Sequence, residues 1–162
     1  MKANVTNLQV AITKDVVCFK IIGPASFNAS PGFKTIANRL CADSGRVLLL
    51  DLVDCITMDS TFLGVLAHLS QSLGKPVELL NPSKRINDLL DNLGVLDFFE
   101  IDYGENPLTV RLESAESPDA DKQELAETSL EAHKTLMALS PENIPRFKDV
   151  AKFLEEDLKR QE

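Results

Sequence analysis

Three adjacent polar residues, Asp59, Ser60 and Thr61, separate a strand-like run, VLLLDL (47–52), from an apolar helical segment that begins at Phe62. Side-chain oxygens at a helix start accept free backbone N–H groups and stabilise the helix by about 1 kcal/mol, so Asp59 or Ser60 is interpreted as an N-cap. Phosphorylation is a second interpretation, because a phosphate there would lie beside backbone N–H groups and the positive end of the helix dipole. The two are compatible, since an exposed cap residue can also accept a phosphate.

Other side chains offer little enzymatic chemistry. The sequence contains no GxGxxG, no phosphate-binding loop and no metal-ligand spacing, so we expect no cofactor, no metal and no catalytic residue. His68 and His133 both fall in predicted helices, and His68 lies opposite the apolar stripe of its helix, which favours a surface position. A small hydrolase or transferase would require a pocket that brings His68 to a hydroxyl or a thiol.

Composition and charge narrow the classes of partner. The chain has 162 residues and a net charge of −8, of which −2 belongs to residues 1–112 and −6 to residues 113–162. The absence of a basic face argues against nucleic acid as a partner. No apolar run approaches the roughly 20 residues of a membrane span, and none follows Met1 as a secretory signal would, so we expect no membrane insertion and a cytoplasmic protein. Three cysteines among apolar neighbours, Cys18, Cys41 and Cys55, predict buried thiols in a reducing compartment.

Strands alternate with helices over the first hundred residues. A hairpin is predicted from LQVAIT (8–13) and VVCFKII (16–22), and VLLLDL is apolar on both faces, which is typical of a central strand covered by helices. Ser30 with Pro31, and Asn81 with Pro82, are predicted to start helices, and VELL (77–80) and FFEI (98–101) are short strand candidates. The predicted order β-β-α-β-α-β-α-β indicates an α/β fold with a mixed, largely parallel sheet and covering helices.

The acidic tail is predicted to be a separate part of the chain, residues 113–162, appended to a domain of residues 1–112. Ser114 to Asp121 has the composition of a linker. Two amphipathic helices follow as an αα-hairpin, the first opened by Ser117-Pro118 and the second by Ser140-Pro141 or by Asn143 with Pro145. The apolar faces of this hairpin can be covered by the sheet domain or by a second copy of the chain. Three roles of the hairpin are open at this point: a homodimer contact, an acidic flap over the face around Ser60, or helices that only cover the domain.

From about residue 5 to 103 the sequence resembles a STAS domain, the family of bacterial anti-sigma factor antagonists and of the cytoplasmic domains of sulfate transporters. The residues that carry the resemblance are VLLLDL, the segment MDSTFLG (58–64), and NPSKRINDLLDNLG (81–94), which resembles the proline-led helix of the family. The resemblance covers most of the domain, with the elements in the same order.

The resemblance implies a switch in a partner-switching pathway of transcription regulation. Ser60 matches the serine that the partner anti-sigma factor, an ATP-using kinase, phosphorylates in antagonists of this family, and Thr61 is the second choice. The unphosphorylated protein would bind that kinase, phosphorylation would break the complex, and a phosphatase would reset it. The protein itself would not be an enzyme. The alternative is a scaffold subunit of a regulatory or transport assembly in which Ser60 is only a helix cap.

Two departures from the family pattern affect the expected partner-binding surface. Phe62 stands where the family most often has glycine, so its ring either obstructs a kinase, anchors a different partner or folds inward onto Ile36 or Leu66. The loop GPASFNASP (23–31) offers Ser26 and Asn28 where antagonists often carry an acidic residue. The residues expected to contact a partner are Asp59, Ser60, Thr61, Phe62, Ser26 and Asn28.

Overall fold

The computed structural model describes residues 5–116 and 120–160. The strands are β1 (Asn7–Ile12), β2 (Val16–Ala25), β3 (Val47–Asp51), β4 (Cys55–Met58), β5 (Val77–Leu80), β6 (Phe99–Asp102) and β7 (Glu113–Ala115). The helices are α1 (Ser30–Cys41), α2 (Ser60–Leu73), α3 (Lys84–Asn92), α4 (Lys122–Leu139) and α5 (Ile144–Arg160). Short 3-10 turns occupy Phe27–Ala29, Leu96–Phe98, Thr109–Arg111 and Pro141–Asn143.

The strands form one mixed sheet in the order β6-β5-β3-β2-β1-β7, with β4 paired to the far end of β2. Pairing is parallel from β2 through β3 and β5 to β6, and antiparallel where β1 meets β2 and β7. This arrangement confirms the predicted α/β class with a largely parallel sheet. It also confirms the N-terminal hairpin, in which Ala11 lies opposite Cys18.

Aromatic rings fill the core between the sheet and helices α1 and α2. Phe19 of β2 meets Phe33 of α1 edge-on, with ring centroids 5.0 Å apart, and Phe33 meets Phe62 of α2 at 4.9 Å. All three rings are fully buried. Aromatic pairs in these arrangements contribute about 0.5–1.5 kcal/mol beyond the burial of their area. The start of α2 is therefore held to the sheet by Phe62, the third residue after its cap.

Two strands lie where the sequence did not predict them. Residues Cys55–Met58 form β4, which has only four residues and an irregular register against β2, so alternation of apolar residues gives almost no signal. Residues Glu113–Ala115, which the sequence assigns to the linker, pair as edge strand β7 with β1. The linker is correspondingly shorter than its composition suggests.

Two predicted helix caps differ from those in the structure, and a third predicted start lies outside the described residues. Ser30 is the buried first residue of α1, and its hydroxyl donates to the Ser26 carbonyl oxygen instead of capping the helix. Helix α3 is capped by Ser83, which accepts from the backbone N–H of Ile86, and not by Asn81. The predicted start of the hairpin at Ser117-Pro118 lies outside the described residues, and α4 is capped by Asp121.

The C-terminal hairpin packs on the sheet domain of its own chain. Helix α4 lies across α2, and Ala132 and Leu136 are fully buried in the same core as the sheet. The buried side chain of Asn143 ties the hairpin turn to the end of α3, because its Nδ2 donates to the carbonyl oxygens of Leu93 and Leu136, both at 2.9 Å. Among the described helices none has the length and apolar character that crossing a membrane requires.

Candidate functional site

Asp59 fixes the start of α2 immediately after strand β4. Its Oδ1 accepts a hydrogen bond from the backbone N–H of Phe62 at 2.9 Å, so Asp59 is the N-cap of the two residues predicted for that role. Its Oδ2 accepts from the backbone N–H of Phe27 at 2.6 Å, and its own backbone N–H donates to the Ala25 carbonyl oxygen at 3.1 Å. Asp59 therefore joins the loop after β2 to the first turn of α2, and both of its carboxylate oxygens are already hydrogen-bonded.

Ser60, the first residue of α2, is half-buried and contacts the C-terminal hairpin. Its Oγ lies 2.9 Å from Nε2 of His133 in α4. The other ring nitrogen, Nδ1, lies 2.7 Å from the backbone carbonyl oxygen of Ser129. Because a carbonyl oxygen can only accept, Nδ1 carries the proton of the neutral ring and Nε2 accepts from the Ser60 hydroxyl.

His133 is held in an almost dry environment. The residue is only 5% exposed, and its ring packs on Phe147 of α5 with centroids 4.8 Å apart. Burial lowers the pKa of His133 below its ordinary value, against the opposing effects of the Ser129 carbonyl and of the Asp59 carboxylate. The imidazole is therefore neutral at physiological pH.

Thr61 and Gly64 lie beneath α4. Thr61 is buried, and its Oγ1 is 3.2 Å from Oγ of Ser129. At Gly64 the helices approach so closely that a Cβ atom would lie 2.5 Å from the carbonyl oxygen of Ala132. This face of α2 is thus covered by the protein's own hairpin, and the Thr61 hydroxyl faces the interior.

Phe62 does not belong to the surface expected for partner binding. The side chain is fully buried and packs against Phe33, so its inward orientation is correct and its proposed role as a surface anchor is wrong. The contact that the structure shows for the ring is an aromatic one, with Phe33 of α1 at a centroid distance of 4.9 Å.

Ser26 and Asn28 flank Phe27 in the loop that Asp59 holds in place. Ser26 is half-buried and Asn28 is exposed. The structure therefore brings this loop and the start of α2 together, although they are more than thirty residues apart in sequence. Three large apolar side chains are exposed to solvent along the edge of the sheet where strands β2 and β3 end and α2 begins: Phe27, Val53 and Ile56.

The histidine that meets a hydroxyl is His133, whereas the sequence directed attention to His68. His68 is about one-third exposed and lies 3.8 Å from the carboxylate of Glu131. A signal for His133 was nevertheless present, because Ser129 falls at helical spacing with the apolar residues Leu125, Ala132 and Leu136, and His133 follows one turn later. Polar residues on an inward-facing stripe require partners, and Ser60 and Thr61 supply them.

The three cysteines are buried free thiols, as predicted. Burial raises the pKa of each thiol, and that of Cys55 to about 11. The thiolate, which is the reactive form, is therefore suppressed at neutral pH.

The model of the STAS domain family matches residues 7–112, which is more than half of the chain, so the protein belongs to the STAS domain family. The solved structure of the anti-sigma factor antagonist SpoIIAA in its unphosphorylated form is similar over 64% of this chain and 92% of its own, with 15% identity and a TM-score of 0.55. The NMR structure of TM1081 from Thermotoga maritima is similar over 57% of this chain and 77% of its own, with 22% identity and a TM-score of 0.51. No curated protein sequence matches the chain.

Proposed function

We propose that this STAS domain protein is a phosphorylatable anti-sigma factor antagonist, a protein-binding switch whose phosphoacceptor is Ser60. The observation that carries the proposal is the position of the Ser60 hydroxyl at the first residue of a helix, directly after a strand, in a chain of this family. Thr61 is less suited to this role because it is buried. The implied partners are a serine kinase that is itself an anti-sigma factor and a phosphatase, acting in the cytoplasm.

A phosphate on Ser60 would alter the surface in two ways. It would add almost two negative charges beside the Asp59 carboxylate, on the edge that also carries Phe27. It would also replace the hydrogen bond from the Ser60 hydroxyl to His133. A partner that docks on this edge through close apolar and polar contacts would lose both its fit and its charge complementarity.

The test is intact-mass analysis of the protein purified from its own cells, beside a Ser60→Ala variant. We expect a one-phosphate adduct in the natural protein that is absent from the variant. Ser72→Ala is a matched control, because it removes a hydroxyl near the other end of the same helix. Binding to a kinase encoded beside this gene should then be retained by Ser60→Ala and lost by Ser60→Asp.

One observation favours a scaffold that is not phosphorylated as the second candidate function. Ser60 is half-buried with its hydroxyl bonded to His133, and α4 covers the face of α2 that begins with Thr61. In a scaffold, this arrangement would serve only to fasten the hairpin. A complete absence of the adduct under all growth conditions would support the scaffold and reject the switch.

A homodimer formed through the C-terminal helices would use α5 and not α4. The inward stripe of α4 is already covered by α2, whereas Val150 and Phe153 of α5 are exposed. Light scattering of the natural protein beside a Phe153→Ser variant would measure a homodimer formed through this helix.

A further inference from the structure

Ser60, His133 and the Ser129 carbonyl form a chain of hydrogen bonds in the order nucleophile, base, orienting group. The Ser60 Oγ to His133 Nε2 distance is 2.9 Å, and the His133 Nδ1 to Ser129 O distance is 2.7 Å. The orienting carbonyl belongs to the residue one turn earlier in α4, so the ring and the group that fixes its tautomer share one rigid helix. This is the arrangement in which a histidine removes the proton of an attacking hydroxyl.

Asp59 does not compete for this role, although it precedes Ser60. Both of its carboxylate oxygens accept backbone N–H groups, from Phe62 and from Phe27. An acceptor engaged in this way is a poor base, because protonation would disrupt the hydrogen bonds that define the start of the helix. The unprotonated Nε2 of His133 instead directs its lone pair at the Ser60 hydroxyl.

The surroundings of His133 keep it neutral and available as a base. The α5 side of the ring is closed by the uncharged Phe147, and the charge facing it from α2 is the Asp59 carboxylate. Farther along the same contact between helices, Glu131 of α4 lies between Lys34 of α1 and His68 of α2 and pairs with them. Burial lowers the pKa of His133 by more than the nearby acidic charge raises it, so the ring is unprotonated, as a general base must be.

We propose that His133 is the general base for phosphorylation of Ser60, so that the chain carries its own activated acceptor hydroxyl. This proposal rests on the phosphoswitch function above and deepens it. The Ser60 Oγ attacks the terminal phosphorus of a nucleoside triphosphate supplied by the kinase and forms an O–P bond. The bond from that phosphorus to the bridging oxygen breaks, and the nucleoside diphosphate leaves. The hydroxyl proton passes to Nε2, and the resulting imidazolium lies beside the new phosphate as its counter-charge.

The hairpin acquires a second role from this chemistry. His133 reaches Ser60 only because α4 is docked on α2, with Gly64 against Ala132. The appended residues outside the STAS match therefore supply a catalytic group to the residue that the STAS fold presents. The reaction takes place once per chain and consumes the acceptor, so it requires no turnover by this protein.

The test uses the full-length purified protein and an alkyl fluorophosphonate probe, and therefore needs no kinase. The Ser60 Oγ would form a bond to phosphorus, fluoride would leave, and the proton would pass to His133. We expect peptide mass spectrometry to find the label on Ser60 and none in Ser60→Ala. His133→Gln retains a hydrogen-bond acceptor but cannot take the proton, so its labelling rate should fall by about 100-fold or more. His68→Gln, which alters the other histidine of the chain, should label at the natural rate.

The pH profile of the natural protein separates a base from a merely structural histidine. The labelling rate should fall as the pH drops below the usual histidine range, and this decline should be absent from His133→Gln. An unlabelled Ser60 in the natural protein, a flat profile, or a natural rate in a folded His133→Gln would overturn the proposal. None of these outcomes bears on the phosphate adduct in cells, because a kinase can supply its own base, so the two proposals fail separately.

Discussion

Gly64→Ala tests whether the close contact between α2 and α4 holds the candidate site together. A Cβ atom at this position would lie 2.5 Å from the Ala132 carbonyl oxygen and 2.6 Å from the Ala132 Cβ. Ordinary carbon contacts need about 3.5 Å or more, so the helices must separate by about 1 Å. The bond from Ser60 to His133, at 2.9 Å, passes the 3.5 Å limit for a hydrogen bond after a shift of about 0.6 Å.

The expected change in the free energy of unfolding is the sum of two destabilising contributions and one stabilising contribution. Overpacking costs about 1–3 kcal/mol, and loss of the two hydrogen bonds that Ser60 and Thr61 make to α4 costs about 1 kcal/mol each. Replacing a helical glycine by alanine returns about 1 kcal/mol. The net destabilisation is about 2–4 kcal/mol, which corresponds to a fall in Tm of about 4–16 °C for a chain of this length.

Thermal unfolding followed by circular dichroism measures this shift, with Ser72→Ala as the control for a small change elsewhere on α2. The imidazole resonances of His133 should also move in Gly64→Ala, because its bond to Ser60 is broken while the fold persists. A Tm equal to or above that of the natural protein would refute the reasoning. It would mean that α4 shifts without cost and that its contact with α2 does not position His133.

Two further predictions concern the core around the site. Phe62→Ala should lower the free energy of unfolding by about 3–5 kcal/mol in urea denaturation, because the ring is fully buried against Phe33; a loss below about 1 kcal/mol would contradict this packing. Cys55 should resist iodoacetamide at pH 8 in the folded protein and react after unfolding, because burial raises its pKa from 9.0 to about 11. The thiol of Cys55 ionises at a lower pH in the unfolded chain than in the folded one, so its contribution to the free energy of unfolding should be complete below pH 9 and decline as the pH rises towards 11. A Cys55→Ala variant should lack this decline. Rapid alkylation of Cys55 without unfolding would contradict the burial.

Much of the sheet domain could be predicted from the sequence because its determinants are local. Alternating and continuous apolar runs located β1, β2, β3 and β5, and Asp59, one of the two predicted caps, begins α2. Helix capping, the alternation of residues in strands and the interruption of helices by proline each depend on a few neighbouring residues, so they can be recognised in a single sequence. The short strand β4 escaped prediction because its four residues are specified by their partner β2 and not by their own pattern.

The sequence by itself determined the α/β order of elements and a helix start at Asp59 and Ser60, and it left open which of these two residues is the cap. Only the tertiary structure decided what surrounds that hydroxyl. His133 lies 73 residues from Ser60, and the contact exists because Gly64 lets α4 approach α2 and because Asn143 fastens the hairpin turn. Pairings over such distances depend on how whole helices pack, and helix packing is fixed by the sum of many side-chain contacts that no local pattern records.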